Sequence, residues 1–180
     1  FMSKTLEIAK KLISIKSITP NDNGCIDLIE SELASYNFKF ERFDSNGVSN
    51  LYAKYGSSSP LLVFAGHTDV VPTGPIDQWS SDPFIPTERE GNLFGRGAAD
   101  MKTSLAAFIV AIQEFLEEYP NHFGSIGLFI TSDEEGVATD GTKKIVERFI
   151  HDKQQVDFCI VGEPTSAKIF GDTIKNGRRG

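Results

Sequence analysis

The chain has 180 residues, of which 39% are hydrophobic and 24% charged, values that are ordinary for one soluble globular domain with a substantial core. Its formal net charge is −7 and it has no dense basic cluster, which argues against a surface for nucleic acid or anionic membranes. No apolar run approaches the roughly 18 residues of a membrane span, and the N-terminus lacks a signal-peptide pattern. We therefore expect a cytoplasmic protein.

The first third of the chain predicts two helices and two strands. Apolar residues recur at helical spacing in residues 8–15 and again in residues 25–33. Residues 38–40 and 51–55 have the character of strands on either side of a turn at residues 46–47.

A buried strand and a long loop are predicted next. Residues 61–65 form a short, continuous apolar run, which is typical of a strand that is buried on both faces. The stretch 70–97 is rich in Pro and Gly and has an irregular pattern. A loop of that length inside a compact domain is usually functional.

The remaining segments alternate between helix and strand. Helical spacing returns in residues 105–116 and 145–150, whereas residues 126–130 and 156–161 have the pattern of buried strands. Strands that alternate with amphipathic helices predict an α/β fold, with three layers and a largely parallel mixed sheet flanked by helices.

Two cysteines, Cys25 and Cys159, are too few and too far apart for a disulfide framework or a cysteine-based zinc site. We expect both to be buried, reduced thiols.

Three of the predicted buried strands end in polar clusters. His67 and Asp69 follow the first, Glu134 and Glu135 the second, and Glu163 the third. Open α/β sheets place ligands at the carboxyl ends of their strands. We therefore expect these clusters to meet at one edge of the sheet.

Asp100 belongs with these clusters because it ends the long loop and precedes a helix. Like charges gathered at one edge repel one another, and a bound cation is the simplest offset. An imidazole with several carboxylates and no thiolate indicates catalytic zinc, with cobalt or manganese as substitutes. Two metals about 3.5–4 Å apart are the usual arrangement for hydrolysis of the aminopeptidase type.

Each of these residues also has a structural interpretation when it is taken alone. A single histidine after a strand, such as His67, is more often a hydrogen-bonded structural residue than a ligand. Asp100 suits a helix N-cap, the acid run 133–135 a solvated turn, and Glu163 a surface loop. Their coincidence at one sheet edge favours the metal interpretation.

Four motifs resemble those of the dinuclear-zinc M20 family of metallopeptidases and deacylases, which includes aminoacylase, acetylornithine deacetylase and succinyl-diaminopimelate desuccinylase. Their order and spacing agree with that family along the whole chain. The motifs are Gly66-His67-Thr68-Asp69-Val70-Val71-Pro72, Gly95-Arg96-Gly97-Ala98-Ala99-Asp100-Met101-Lys102, Ser132-Asp133-Glu134-Glu135-Gly136 and Gly162-Glu163-Pro164-Thr165. Residues 79–84 and 174–180 resemble the desuccinylase branch most closely.

The resemblance implies a role for each matching position. His67 and Glu163 would bind one zinc, Glu135 would bind the other, and Asp100 would bridge both. Asp69 would hold His67 through the other ring nitrogen, which fixes the tautomer of a ligand.

Glu134 is implied as the general base, which takes a proton from the attacking water and returns it to the leaving amine. The implied substrate is a small N-acyl diamino acid, N-succinyl-L,L-diaminopimelate, which is split into succinate and diaminopimelate for lysine and cell-wall biosynthesis in bacteria. Arg178 is a candidate contact for a substrate carboxylate. An exposed basic pair near the chain end is the alternative interpretation of Arg178.

The family also has parts that we do not find in this chain. Its second zinc takes another His from near the C-terminus of a much longer chain, and neither His122 nor His151 suits that role. A lid domain that mediates dimerisation should begin after Gly180. We therefore expect residues 2–180 to be the N-terminal portion of a zinc catalytic domain, which forms a homodimer when full length. Thr103 stands where the family usually has Gly.

The sequence is compatible with three functions. They are a desuccinylase, a sibling such as acetylornithine deacetylase or a carboxypeptidase, and a non-catalytic metal-binding relative. Glu134 argues against the third, because a protein that only binds metal needs no free base beside it. Alone, the chain should bind one zinc well and a second poorly, with little or no turnover.

Overall fold

The computed structural model describes residues 3–166, 168, 169 and 172, so the segment 174–180 with Arg178 lies outside the described residues. The helices of the described part are α1 (Lys4–Ser14), α2 (Cys25–Leu33), α3 (Thr103–Glu118) and α4 (Thr142–His151). The strands are β1 (Lys39–Arg42), β2 (Asn50–Tyr55), β3 (Leu61–His67), β4 (Thr87–Arg89), β5 (Asn92–Phe94), β6 (Ser125–Thr131) and β7 (Phe158–Val161). None of the described helices has the length and apolar character needed to span a membrane.

Five of the described strands form one mixed sheet, in the order β1-β2-β6-β3-β7. β3 pairs in parallel with both β6 and β7, whereas β2 is antiparallel to β1 and β6. All of these strands except β2 therefore run in the same direction. The predicted α/β fold with a largely parallel mixed sheet is confirmed.

The two faces of the sheet supply two separate apolar cores. One face packs against α1, α2 and α3 through Leu51, Ala53, Ile126, Leu128 and Ile130. On the opposite face, Tyr52 and Phe129 pack edge-to-face against Phe149 of α4, beside the buried Ile145. Because successive side chains of a strand point to opposite faces, one sheet serves both cores and produces the predicted three layers.

Local signals in the sequence set the ends of several helices. α2 begins after Asp22, whose carboxylate accepts the backbone N–H groups of Gly24 and Ile26, each at 3.0 Å. α3 ends at Glu118, shortly before Pro120, as expected because a proline disfavours helical backbone in the preceding residue, whereas α1 already ends at Ser14, well before Pro20.

The loop at residues 70–97 is more ordered than the sequence predicts. It contains a hairpin of β4 and β5, whose turn residues Glu90 and Gly91 are left-handed, with φ of 52° and 76°. Glu-Gly is not among the strong hairpin signals, so the sequence pattern does not indicate this turn. Elsewhere in the loop, the indole N–H of Trp79 donates to the carbonyl oxygen of Thr73 at 2.9 Å.

The strand β7 differs from the prediction of a buried strand. Phe158 and Val161 are 61% and 59% exposed, because β7 lies at the edge of the sheet and, among the described residues, pairs only with β3. The prediction that Cys159 is buried is wrong for the same reason, whereas Cys25 is buried as expected. An apolar run in a sequence does not reveal whether a strand has one neighbour or two.

Candidate metal centre

The polar clusters meet at the carboxyl ends of three neighbouring parallel strands. β3 ends at His67, which lies beside Thr131 at the end of β6, and Ala65 of β3 lies beside Val161 at the end of β7. The loops that carry the acidic residues leave the sheet at these points. The expected convergence at one edge of the sheet is therefore confirmed.

The imidazole of His67 lies at the middle of this edge and is 1% exposed. Its Nε2 atom is 3.2 Å from Oδ1 of Asp100, 3.1 Å from Oε1 of Glu163 and 3.9 Å from Oε2 of Glu134. The opposite ring nitrogen, Nδ1, is 2.9 Å from the backbone carbonyl oxygen of Asp69. A carbonyl oxygen can only accept a hydrogen bond, so Nδ1 carries a hydrogen and the neutral ring keeps its lone pair on Nε2.

Asp69 also holds the loop of Glu134 and Glu135, a contact that the sequence does not indicate. Its carboxylate is completely buried and lies 3.5 Å from Nδ1 of His67. The same carboxylate accepts the backbone N–H of Glu134 at 3.2 Å and that of Glu135 at 3.0 Å. Asp69 therefore fixes the imidazole mainly through its backbone carbonyl and fixes the loop of the acid pair through its carboxylate.

Asp133 holds the other side of that loop. Its carboxylate accepts the backbone N–H groups of Ala138 and Thr139, both at 3.0 Å, and that of Asp140 at 3.2 Å. Asp133 is almost completely buried, so the alternative of a solvated turn is wrong for this residue. The sequence does not distinguish a buried from an exposed acid in an Asp-Glu-Glu run.

Asp100 lies in an irregular turn that precedes α3. The turn spans Ala98–Lys102, begins after the left-handed Gly97, and has non-helical φ and ψ at Asp100 and Met101. The N-cap of α3 is Lys102, and no side chain caps this helix by a hydrogen bond. The alternative interpretation of Asp100 as an N-cap is therefore wrong.

Two groups of side chains in the described part have their ligand atoms within 4.8 Å of one another. One consists of His67, Asp100 and Glu135, and the other of His67, Glu134 and Glu163. One imidazole with several carboxylates is a donor set that fits zinc or a related divalent metal. The second group contains Glu134, for which the resemblance implies a base rather than a ligand.

The charges at this edge shift the pKa values of its residues. Burial acts to lower the pKa of His67, but its contacts with Asp69 and the charge of Glu163 outweigh burial and raise it to about 9. Burial raises the pKa of both Glu134 and Glu135, and the charge of Asp100 adds to each rise. These shifts reflect the crowding of carboxylates around one imidazole, and a divalent cation would relieve their mutual repulsion.

The other two histidines of the described part lie away from this centre. The ring of His122 is stacked on Tyr55 and contacts Phe115 at the far end of α3. His151 is at the end of α4 and its side chain is 84% exposed. Neither belongs to the two groups of possible metal ligands among the described residues.

A small cleft opens directly beside the acidic residues. It has a volume of about 200 Å³ and is lined by Val71, residues 95–99, Asp100 and Glu135. Glu134 is 49% exposed, so it can reach a molecule that approaches this edge from solvent. The geometry thus provides a buried imidazole, several partly exposed carboxylates and space for a small ligand.

Comparison with protein families gives a match that includes most of these residues. The family model described as peptidase family M20/M25/M40 matches residues 63–175. The chain is 61% identical over 179 residues to the succinyl-diaminopimelate desuccinylase of Methylobacillus flagellatus, and this alignment covers 99% of the chain and 48% of that protein. It is 60% identical over 176 residues to the desuccinylase of Aromatoleum aromaticum, with 98% and 46% covered. The chain thus spans about half the length of the curated relatives it matches.

Solved structures with the same fold are much less similar in sequence. Human carnosine dipeptidase 1 superposes with a TM-score of 0.79 at 22% identity, over 90% of this chain and 38% of that one. An M20 family metallo-carboxypeptidase from Sulfolobus solfataricus superposes with a TM-score of 0.73 at 23% identity, over 89% and 37%. These similarities concern the fold alone.

Proposed function

Because the chain belongs to peptidase family M20/M25/M40, we propose that it contributes the metal-binding part of an amide hydrolase. The observation that carries this proposal is the convergence of Asp100, Glu135 and Glu163 on the buried imidazole of His67. Such a concentration of carboxylates costs free energy through repulsion, and a bound cation offsets that cost.

The proposed metal is zinc, with cobalt as a substitute, held by His67, Asp100, Glu135 and Glu163. A bound divalent metal supplies a Lewis acid for the amide carbonyl and lowers the pKa of a water molecule. The hydrogen bond from Nδ1 of His67 to the backbone carbonyl oxygen of Asp69 keeps Nε2 directed at the acidic residues, where loss of the Nε2 proton would present its lone pair to a metal. This preorganisation favours zinc binding because the ring does not have to reorient.

Glu134 is proposed as the group that moves protons. Its side chain is 49% exposed beside the buried His67, and its backbone is fixed by Asp69. Burial and the charges of Glu163 and Asp100 raise its pKa, which makes the carboxylate a better proton acceptor near neutral pH. It would accept a proton from the attacking water and donate it to the leaving amine.

The proposed substrate is N-succinyl-L,L-diaminopimelate, with succinate and L,L-diaminopimelate as products. This proposal rests on the name of the relatives, which are 61% and 60% identical to nearly all of the chain. The dipeptidase and carboxypeptidase structures are too distant in sequence to favour their substrates here. Arg178 as a contact for a substrate carboxylate stays a prediction, because it lies outside the described residues.

The chain covers about half of its relatives, so we propose that turnover requires the part of the protein that corresponds to their second half. That part would provide a further ligand of the second metal, the remaining substrate contacts and the surface for a homodimer. The 180-residue chain alone should then bind one zinc tightly and a second weakly.

A hydrolysis panel on the full-length, zinc-loaded protein tests the substrate. Succinyl-diaminopimelate, acetylornithine and acetylmethionine are compared at equal concentration, and release of the free amine is measured. We expect rapid hydrolysis of the first substrate only. Faster hydrolysis of either acetyl substrate would overturn the proposed specificity, and no hydrolysis of any of them would overturn the proposed activity.

Metal analysis of the 180-residue chain tests whether the second metal needs a ligand from the other half of the protein. Mass spectrometry after gel filtration should find one zinc for each chain, and the same sample should show little or no turnover. Two tightly held zinc ions, or hydrolysis near the full-length rate, would contradict the proposal.

A further inference from the structure

Lys102 is a charged side chain in the middle of the protein core. It is completely buried, and its Nζ donates hydrogen bonds to the carbonyl oxygens of Leu12 at 2.7 Å and Ile15 at 2.8 Å. Both carbonyls lie at the C-terminal end of α1, where the helix dipole favours a cation. Among the described residues, the ammonium group forms no ion pair with a carboxylate.

A buried charge without a paired carboxylate is costly compared with an apolar side chain of the same size. A methionine at this position would fill the same core without that cost. Lys102 differs from such a methionine in its hydrogen bonds to the end of α1, and the contacts of that segment indicate the role of Lys102.

The segment that Lys102 contacts also supports the loop of His67. Just after Ile15, the hydroxyl of Ser17 donates to the carbonyl oxygen of Thr68 at 2.6 Å. The backbone N–H of Val70 donates to the carbonyl oxygen of Ser17 at 2.9 Å. The end of α1 and the loop after β3 are thus joined by short hydrogen bonds on both sides of Asp69.

At its other end, Lys102 is part of the turn that carries Asp100. Its backbone N–H donates to the carbonyl oxygen of Gly97 at 2.9 Å and closes the turn. Its side chain runs beneath Gly97, since a Cβ atom added there would lie 3.1 Å from Cδ of Lys102. The side chain therefore connects the turn of Asp100 to the segment that supports His67.

We propose that Lys102 is a positioning residue of the metal centre, which fixes Asp100 relative to His67 through the end of α1. The proposal rests on the proposed metal function, because its consequence is metal affinity. Zinc accepts ligand atoms only about 2.0–2.2 Å away, so a small shift of one ligand weakens binding. Residues that orient metal ligands typically change metal affinity by about 10–100-fold when they are replaced.

Gln113, on the helix α3 that follows Lys102, provides a matched control. It is 2% exposed, and its Nε2 donates to the carbonyl oxygen of Glu32 at 2.7 Å, which ties α3 to α2. Like Lys102, it is a buried side chain that donates to helix-terminal backbone, but its side-chain hydrogen bond among the described residues goes to α2 and not to the loops of the centre. Loss of either tether should destabilise the core.

The test compares Lys102→Met and Gln113→Met with wild type in the full-length, metal-free protein. Zinc affinity is measured by competition with a chromophoric chelator, and thermal unfolding is measured without metal. We expect both variants to unfold at a lower temperature, and Lys102→Met alone to bind zinc about 10-fold or more weakly. The spectrum of bound Co²⁺ should also change in Lys102→Met only.

If Lys102→Met does not fold, Ser17→Ala is the second variant that tests the positioning role. It removes one hydroxyl in the same chain of contacts and should weaken zinc binding several-fold. Unchanged zinc affinity in Lys102→Met or, failing that, in Ser17→Ala would overturn the positioning role, and so would an equal loss in Gln113→Met. Absence of zinc binding by wild type would instead overturn the proposed metal function.

Discussion

At the scale of single residues, the geometry around Glu134 suits two roles, that of a metal ligand and that of a general base. It lies near His67 and Glu163 as a ligand would, yet it is half exposed as a base would be. A base and a ligand respond differently to removal of their charge. A base loses proton transfer while the metal stays bound, whereas a ligand loses the metal.

Glu134→Gln separates these roles in the full-length protein. The change keeps the size of the side chain and removes its ability to accept a proton, so we expect the hydrolysis rate to fall by about 10²–10⁴-fold or more, with zinc content unchanged. Glu147→Gln, on the exposed side of α4, is the control and should leave both quantities unchanged. Loss of zinc in Glu134→Gln would identify the residue as a ligand.

Cys25 gives a prediction about pH. Burial raises the pKa of its thiol to about 11, although the charge of Lys102 opposes the rise. The folded protein therefore holds this proton more tightly than the unfolded chain does. Stability that depends on the neutral thiol is complete below the ordinary pKa of cysteine and is lost as pH rises toward 11.

Alkylation with iodoacetamide measures this difference. At pH 8 the exposed Cys159 should react while Cys25 stays unmodified, and unfolding in denaturant should make both react. Peptide mass spectrometry distinguishes the two sites. Equal rates at Cys25 and Cys159 in the folded protein would contradict the buried, protonated thiol.

At the scale of secondary-structure elements, the loop between β6 and α4 determines where the acid pair lies. Asp69 and Asp133 hold its backbone from opposite sides, and Gly141 closes it at the start of α4. A Cβ atom at Gly141 would lie 2.8 Å from the carbonyl oxygen of Asp133 and 2.5 Å from Oγ1 of Thr131. There is no room for a side chain without movement of the loop.

Gly141→Ala should therefore loosen the loop and the metal centre together. We expect a loss of about 1–3 kcal/mol in the free energy of unfolding and weaker zinc binding. Gly74→Ala is the control, because it adds a Cβ in open space and costs only about 1 kcal/mol for its left-handed backbone. Denaturant unfolding and zinc competition measure both effects, and unchanged zinc affinity in Gly141→Ala would show that the loop tolerates the shift.

The sequence predicts most helices and strands closely, but it does not predict the contacts between them. Apolar periodicity predicts the four α-helices of the described part and the strands of its main sheet, because burial of an amphipathic face is what forms them. The hairpin of β4 and β5 is not predicted, since its turn lacks a strong signal. The exposure of β7 is not predicted either, because it depends on how many neighbours a strand has.

In the candidate site, likewise, the sequence predicts the residues but not the contacts that hold them. The ends of buried strands identify the acidic residues, because parallel strands bring their carboxyl ends to one edge. The hydrogen bonds from the loop backbone to Asp69, and those from Lys102 to the end of α1, join residues that are far apart in sequence. No local pattern predicts such contacts, since they depend on the packing of several elements.

At the scale of the whole molecule, a metal that binds only the folded state should stabilise it. At a free zinc concentration 100-fold above the dissociation constant, the gain is about 2.7 kcal/mol. For a chain of this size, that corresponds to a rise of roughly 5–10 °C in the unfolding temperature. The repulsion among Asp100, Glu135 and Glu163, which the cation relieves, is part of the physical reason.

Differential scanning calorimetry of the 180-residue chain with zinc and with EDTA measures this effect. His67→Asn, which removes the imidazole, is the control and should unfold at one temperature in both conditions. Identical unfolding temperatures for wild type with zinc and with EDTA would argue against a metal centre in this part of the protein.

Among the described residues β7 forms an edge of the sheet, and this has a consequence for the solubility of the 180-residue chain. A strand with unpaired backbone groups and apolar side chains can act as a template for a strand of another molecule. Phe158, Ile160 and Val161 are exposed on this edge, and the charged gatekeepers Lys153 and Asp157 precede it in the sequence. Aggregation of the isolated chain at high concentration should therefore start at β7, so a lysine in place of Ile160 is the substitution to choose for keeping it monomeric.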